Sequence, residues 1–312
     1  MLEHGGKLRA AAQHWEIPLS DWLDLSTGIA PWPYPVPAVP AEIWQRLPEE
    51  DDGLEAAARD YYGAQHLLLL SGSQAAIQML PRLFAPGRVA IPAPIYNEHP
   101  GAWRAAGHTQ VGWDEVADYA AVCNPTNPTG QRYSRDELLA RARSTRLLVV
   151  DEAFLDAEPE ESMIGCGADN VVVLRSLGKF FGLAGARVGC AIGAPGLLAR
   201  LAEALGPWAV ANPGRWAARY ALADGDWQAA QRGRLSESSR RLAEALRASG
   251  LGEPTGTALF QYVATPRAAE LFEAFARRGI LVRLFAEPAA LRFGLPGTPA
   301  EWQRLAAALH DR

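Results

Sequence analysis

The tripeptide Gly72-Ser73-Gln74 follows the apolar run Leu67–Leu70 and opens a helical pattern, so its backbone N–H groups and the helix dipole suit a phosphate. Further groups able to do chemistry recur at the same kind of place, just beyond an apolar run. Asn127 follows Ala120–Cys123 inside the proline-locked Asn124-Pro-Thr-Asn127-Pro-Thr-Gly130. Asp151 closes the very apolar Leu147–Val150. Ser176 and Lys179 follow Val171–Leu174, with Arg187 eight residues beyond the lysine. Each alone reads more simply as a cap, a turn former or a surface charge. Taken in order they set a phosphate cradle, an amide, a carboxylate, an amine and a guanidinium along one edge of one sheet.

That edge requires the apolar runs to be strands of a single sheet. Short, nearly continuous apolar segments at Leu67–Leu70, Arg88–Ile91, Ala120–Cys123, Leu147–Val150, Val171–Leu174 and Arg187–Ile192 alternate with helical patterns at Gln74–Phe84, Pro100–Ala106 and Arg135–Arg143. A helix at Leu54–Tyr62 precedes them. Such a rhythm predicts a mainly parallel sheet covered by helices on both faces, with ligands bound at the carboxyl ends of its strands. The segment Pro31 to Pro40 reads as an extended connector, because each proline fixes its own φ and restrains its predecessor.

After Pro195 the texture changes to long helices, then to strands at Phe260–Ala264, Leu281–Arg283 and Ala290–Phe293 and a closing helix at Glu301–His310. The expected organisation is a large α/β domain over residues 36–205. A smaller α+β domain takes residues 1–35 and 206–312.

Composition narrows the class. A hydrophobic share of 49% supports large cores, and a net charge of −5 without charged blocks argues against nucleic-acid or membrane-surface partners. The cysteines, Cys123, Cys166 and Cys190, lack any metal-binding spacing and read as free thiols of a cytoplasmic protein. No metal is expected. No apolar run approaches the 18–20 residues or so of a membrane span.

The constellation resembles the fold-type I pyridoxal 5′-phosphate (PLP) enzymes, the aspartate aminotransferase superfamily. The resemblance rests on Asn124-Pro-Thr-Asn127-Pro-Thr-Gly130, on Asp151-Glu-Ala-Phe154, and on Ser176-Leu-Gly-Lys179 running into Gly185-Ala-Arg187-Val-Gly189. It implies a seven-stranded, mainly parallel sheet, PLP as cofactor and a homodimer. By the same resemblance Lys179 carries the cofactor, Asp151 pairs with its ring nitrogen, Asn127 bonds its 3′ oxygen and Tyr96 stacks on the ring. Gly72, Ser73, Gln74, Ser176 and Arg187 hold its phosphate. Two departures stand out: Phe154 replaces the tyrosine usual after Asp-Glu-Ala, and Arg46-Leu47-Pro48 replaces Arg-Tyr-Pro. Tyr61 and Tyr62 take no assigned role.

Within the superfamily the chain is similar to the histidinol-phosphate aminotransferase branch, and to its decarboxylase-like members in particular. The marks are His4-Gly5-Gly6, Leu25-Ser26-Thr27-Gly28-Ile29-Ala30-Pro31, and the arginines of Gly279-Ile-Leu-Val-Arg283 and Leu291-Arg292-Phe-Gly294. The resemblance implies decarboxylation of a small phosphorylated amino acid, L-threonine O-3-phosphate, as in cobalamin biosynthesis. Arg292 then takes the α-carboxylate, while Arg283, His4 and the Ser26–Gly28 loop take the substrate phosphate. The alternative is transamination, since both reactions share every cofactor residue.

Overall fold

The computed structural model describes residues 4–310. Helix α1 (Leu8–Trp15) leads to the two-residue strand β1 (Leu23–Asp24), then to the extended proline segment and α2 (Leu54–Tyr62). The main α/β run follows as β2 (Leu67–Leu70), α3 (Ser73–Met79), β3 (Arg88–Ala90), α4 (Glu98–Ala105), β4 (Thr109–Val111), β5 (Tyr119–Cys123), α5 (Arg135–Arg143), β6 (Leu147–Asp151), β7 (Val171–Ser176) and β8 (Gly189–Ile192). Among the described residues these strands form a seven-stranded sheet in the order β2-β8-β7-β6-β5-β3-β4. Its pairs are parallel from β4 through β7, whereas β8 runs antiparallel to both β7 and β2.

Side chains alternate across a strand, and the core shows it. Leu148 and Val150 join a cluster with Val122, Val171 and Val173 on one face, while Leu147 and Val149 join Ala121, Val172 and Leu174 on the other. All five residues of β6 are buried, so the strand delivers Asp151 into a dry environment.

The chain continues through α6 (Pro195–Leu205), α7 (Asn212–Ala223), α8 (Gly225–Ala248), β9 (Thr255–Thr257), β10 (Phe260–Ala264), α9 (Ala268–Arg277), β11 (Ile280–Leu281), β12 (Arg283–Phe285), β13 (Ala290–Gly294) and α10 (Pro299–His310). Strands β12-β13-β10-β9 make an antiparallel four-stranded sheet, and β11 pairs in parallel with β1.

Several expected boundaries move. The run expected as one strand at Leu281–Arg283 divides at Val282, its two halves serving different sheets. The helix expected to reach Phe84 gives way at Leu80 to a 3₁₀ turn, because Pro81 has no N–H to donate. Strand β4, half exposed at the sheet edge, carries no apolar signal and was not expected. Arg187 lies before β8 rather than in it, with a left-handed φ of 53°.

Candidate active site

Register brings the chemistry together. Cys123 of β5 lies beside Asp151 of β6, which lies beside Leu174 of β7, so these strands release their next residues at a common level. One cavity there is lined by all nine residues expected around the cofactor: Gly72, Ser73, Gln74, Tyr96, Asn127, Asp151, Ser176, Lys179 and Arg187.

Asp151 is buried and firmly held. Its Oδ1 accepts from Ala153 N–H at 3.1 Å, and its Oδ2 meets His99 Nε2 at 3.0 Å. Burial pushes Lys179 down to about 8; the positive charges of Arg292 and Arg187 add to this, and Asp151 opposes it. The amine sits 5.5 Å from the centre of the Phe154 ring. At the phosphate end, a Cβ on Gly72 would stand 2.7 Å from Arg187 Nη2, so the absent side chain is what lets the guanidinium lie against the helix start. Gly72 also has φ +79°, which L side chains rarely adopt.

A second cavity, about 360 Å³, adjoins the first through Tyr96 and Asn127 and is lined also by His4, Arg283 and Arg292. Arg292 is buried on β13. Its Nη2 donates to the Ser26 carbonyl at 3.0 Å and its Nη1 to Asn127 Oδ1, while its Nε is buried without a partner among the described residues. Burial lowers its pKa to about 10, and Arg283 pushes the same way. His4 Nε2 meets Glu98 Oε1 at 2.8 Å.

Not every expected residue presents itself to these cavities. Gly28 packs against Phe154 and Phe260, and Ser26 turns its Oγ to Asp24 and its carbonyl to Arg292, so this loop contributes backing rather than side chains. Tyr61 bonds Asp156, and Tyr62 stacks on Arg175 of the same buried ion network, which joins Arg175 to Glu152 and Asp156. Phe154 spends its ring on Phe260, edge to face at 5.1 Å. Leu47 is exposed.

Two neighbours of the expected residues carry no mark of their own in the sequence. His99, which holds Asp151, and Glu98, which holds His4, both sit on the first turn of α4. That helix was expected to begin at Pro100, which left both residues in a loop. Their proximity to Tyr96 in the chain was the available signal.

The family profile of aminotransferase class I and II matches residues 48–309. A threonine-phosphate decarboxylase from Pseudomonas aeruginosa is 54% identical over 322 aligned positions, covering 99% of this chain and 97% of that protein. One from Sinorhizobium sp is 44% identical, covering 98% and 97%. The histidinol-phosphate aminotransferase of Sinorhizobium meliloti, solved in complex with pyridoxal-5′-phosphate, superposes with a TM-score of 0.84 at 21% identity, covering 100% of this chain and 98% of that one. A polar edge where parallel strands end together, a lysine placed at that edge and this breadth of similarity lead to one assignment: the chain belongs to the aminotransferase class I and II family of PLP-dependent enzymes.

Proposed function

We propose that the protein decarboxylates L-threonine O-3-phosphate to (R)-1-amino-2-propanol O-2-phosphate, a step of cobalamin biosynthesis. The observation that carries this reading is the pairing of Arg283 with Arg292 beside His4 in the cavity next to Lys179. A substrate with a carboxylate at one end and a phosphate at the other suits two guanidinium groups. The name borne by the 54% identical relative supports the same reading.

The residues present fit PLP. Arg187, the Ser176 hydroxyl and the Ser73 and Gln74 N–H groups suit its phosphate, with room left by Gly72. Asp151 offers a buried anion to its ring nitrogen, and Lys179 offers an amine whose neutral form is accessible near neutral pH. Bound there, PLP supplies an electron sink for the bond broken at the substrate Cα.

The chain's own residues do the rest. Lys179 would hold the cofactor, give way to the substrate amine and later return a proton to Cα. His99 and the Ala153 N–H keep Asp151 oriented as an acceptor, and that charge would favour a protonated ring nitrogen. Arg292 takes the carbonyl side of Asn127, which leaves the Asn127 amide hydrogens for the cofactor's 3′ oxygen. Arg292, with its unpartnered Nε, would clamp the α-carboxylate, while Arg283 and His4 would take the substrate phosphate.

The reaction specificity lies in which Cα bond these contacts set perpendicular to the ring. Incubation with the substrate, with and without a 2-oxo acid, tests the reading. Release of CO₂ without an acceptor supports decarboxylation, and acceptor-dependent amino transfer supports the aminotransferase alternative.

We further infer a homodimer in the cytoplasm, with a large domain over 36–205 and a smaller one from 1–35 and 206–312. Trp44 and Leu47 are 67% and 62% exposed around the Arg46-Leu47-Pro48 segment, and Asn212 at the start of α7 bonds the Arg46 carbonyl at 2.8 Å. An apolar face of this kind suits a second copy. Three unpaired cysteines fit a reducing compartment. Among the described residues no helix is long and apolar enough to cross a membrane.

A further inference from the structure

The Glu98 carboxylate gathers three donors from two distant parts of the chain. Its Oε1 meets His4 Nε2 at 2.8 Å, and its Oε2 accepts from Gln74 Nε2 at 2.7 Å and Gln78 Nε2 at 2.9 Å. The two glutamines lie one turn apart on α3, so both reach the same side of that helix. Gln74 in turn accepts from the Tyr96 hydroxyl at 3.3 Å. Three donors and a place on the first turn of α4 leave this carboxylate little freedom.

His4 is held from behind as well. Gly6 N–H donates to Ser26 Oγ at 2.8 Å, and Gly5 is packed so closely that a Cβ would stand 2.3 Å from the Ser26 carbonyl oxygen. A carboxylate can only accept, so the bond to Glu98 places a hydrogen on Nε2. Nδ1, with no hydrogen-bond partner among the described residues, is then left for a ligand in the cavity that His4 shares with Arg283, and it donates to a phosphate when the ring carries its second proton. Without Glu98, a side chain 39% exposed near the chain's start would lose its fixed direction.

We propose that Glu98 is a positioning residue for substrate specificity: it aims the His4 ring at the phosphate of the substrate and thereby sets the preference for phosphorylated over unphosphorylated amino acids. This rests on the phosphorylated substrate proposed above. Glu98 itself touches neither substrate nor cofactor in this scheme.

The test is titration of the holoenzyme with L-threonine O-3-phosphate and with L-threonine, read from the cofactor's absorbance. It uses wild type, Glu98→Gln, His4→Ala and the double variant. Glu98→Gln is expected to weaken the phosphorylated ligand about tenfold, leave threonine unchanged and keep the cofactor band of the free enzyme. In the His4→Ala background the same substitution should add nothing, because the effect passes through His4. Glu98→Asp keeps the charge but shortens the reach, and should lose the preference likewise. Additive losses in the double variant, equal losses for both ligands, or loss of the cofactor itself would each overturn the role. Wild-type enzyme that binds both ligands equally would refute the proposed substrate, and this role with it. Wild-type preference untouched by Glu98→Gln would refute this role alone.

Discussion

Arg283 and Arg292 are direct cross-strand partners in the antiparallel pair β12·β13. Like charges so placed destabilise a sheet, and here burial of Arg292 adds to the cost. A ligand that brings negative charge to both, as a phosphorylated amino acid does, would offset that repulsion. In the roles proposed for them, the two arginines would set a spacing that the substrate's own skeleton must match.

Removal of either arginine should separate their roles. Arg283→Ala is expected to cost about 2–5 kcal/mol of transition-state binding toward threonine phosphate, roughly 30-fold or more in kcat/KM. Toward unphosphorylated threonine it should change little. Arg292→Ala should impair both substrates alike, and parallel steady-state kinetics of the two variants check the contrast.

Lys179→Ala should abolish covalent cofactor attachment. The chain has only one other lysine, Lys7, which lines a cavity along α1 and α9 that shares no residue with the one around Lys179. Borohydride reduction followed by mass spectrometry of the peptides checks this, and cofactor still fixed to the variant would refute the assignment.

The depressed pKa of Lys179 makes a signed pH prediction. Only the neutral amine attacks an aldehyde, and the neutral form gains as pH rises through about 8 rather than through 10.5, the usual lysine value. The rate at which the apoenzyme takes up PLP should therefore climb with pH and reach half its plateau near 8. Arg292→Leu removes a neighbouring positive charge that holds the value down, so the midpoint should move upward. Stopped-flow absorbance across a pH series reads both.

Asp151, Ser176 and Lys179 were legible in the sequence for a physical reason. Each closes or follows a continuous apolar run that can only be a buried strand, and parallel strands in register end together. The division of Leu281–Arg283 between two sheets was not legible, because local pattern cannot say which partner each residue will pair with. Glu98 and His99 were hidden in the same way. A Glu and a His on the first turn of a short helix look solvated until the chain brings His4 from 94 residues away and Asp151 from 52. The missing tyrosine at position 154 was visible as an absence. That its ring would pack on Phe260, 106 residues later, was not.

His99 should matter through Asp151 alone. His99→Leu leaves Oδ2 of a buried carboxylate with only the long contact from the Cys123 thiol at 3.9 Å, a loss of about 1–3 kcal/mol. The apoenzyme's apparent unfolding temperature should fall, and the cofactor should be retained less well in dialysis. His99→Asn, which offers an amide donor, should recover part of both.

The fate of the Cα hydrogen tests the central claim most directly. With L-threonine O-3-phosphate deuterated at Cα and no 2-oxo acid present, the reaction proposed here should release CO₂ and leave the deuterium on C1 of the 1-amino-2-propanol O-2-phosphate formed, read by mass spectrometry. Product that keeps its carboxylate but has lost the deuterium and the amine, formed only when an acceptor is supplied, would contradict it.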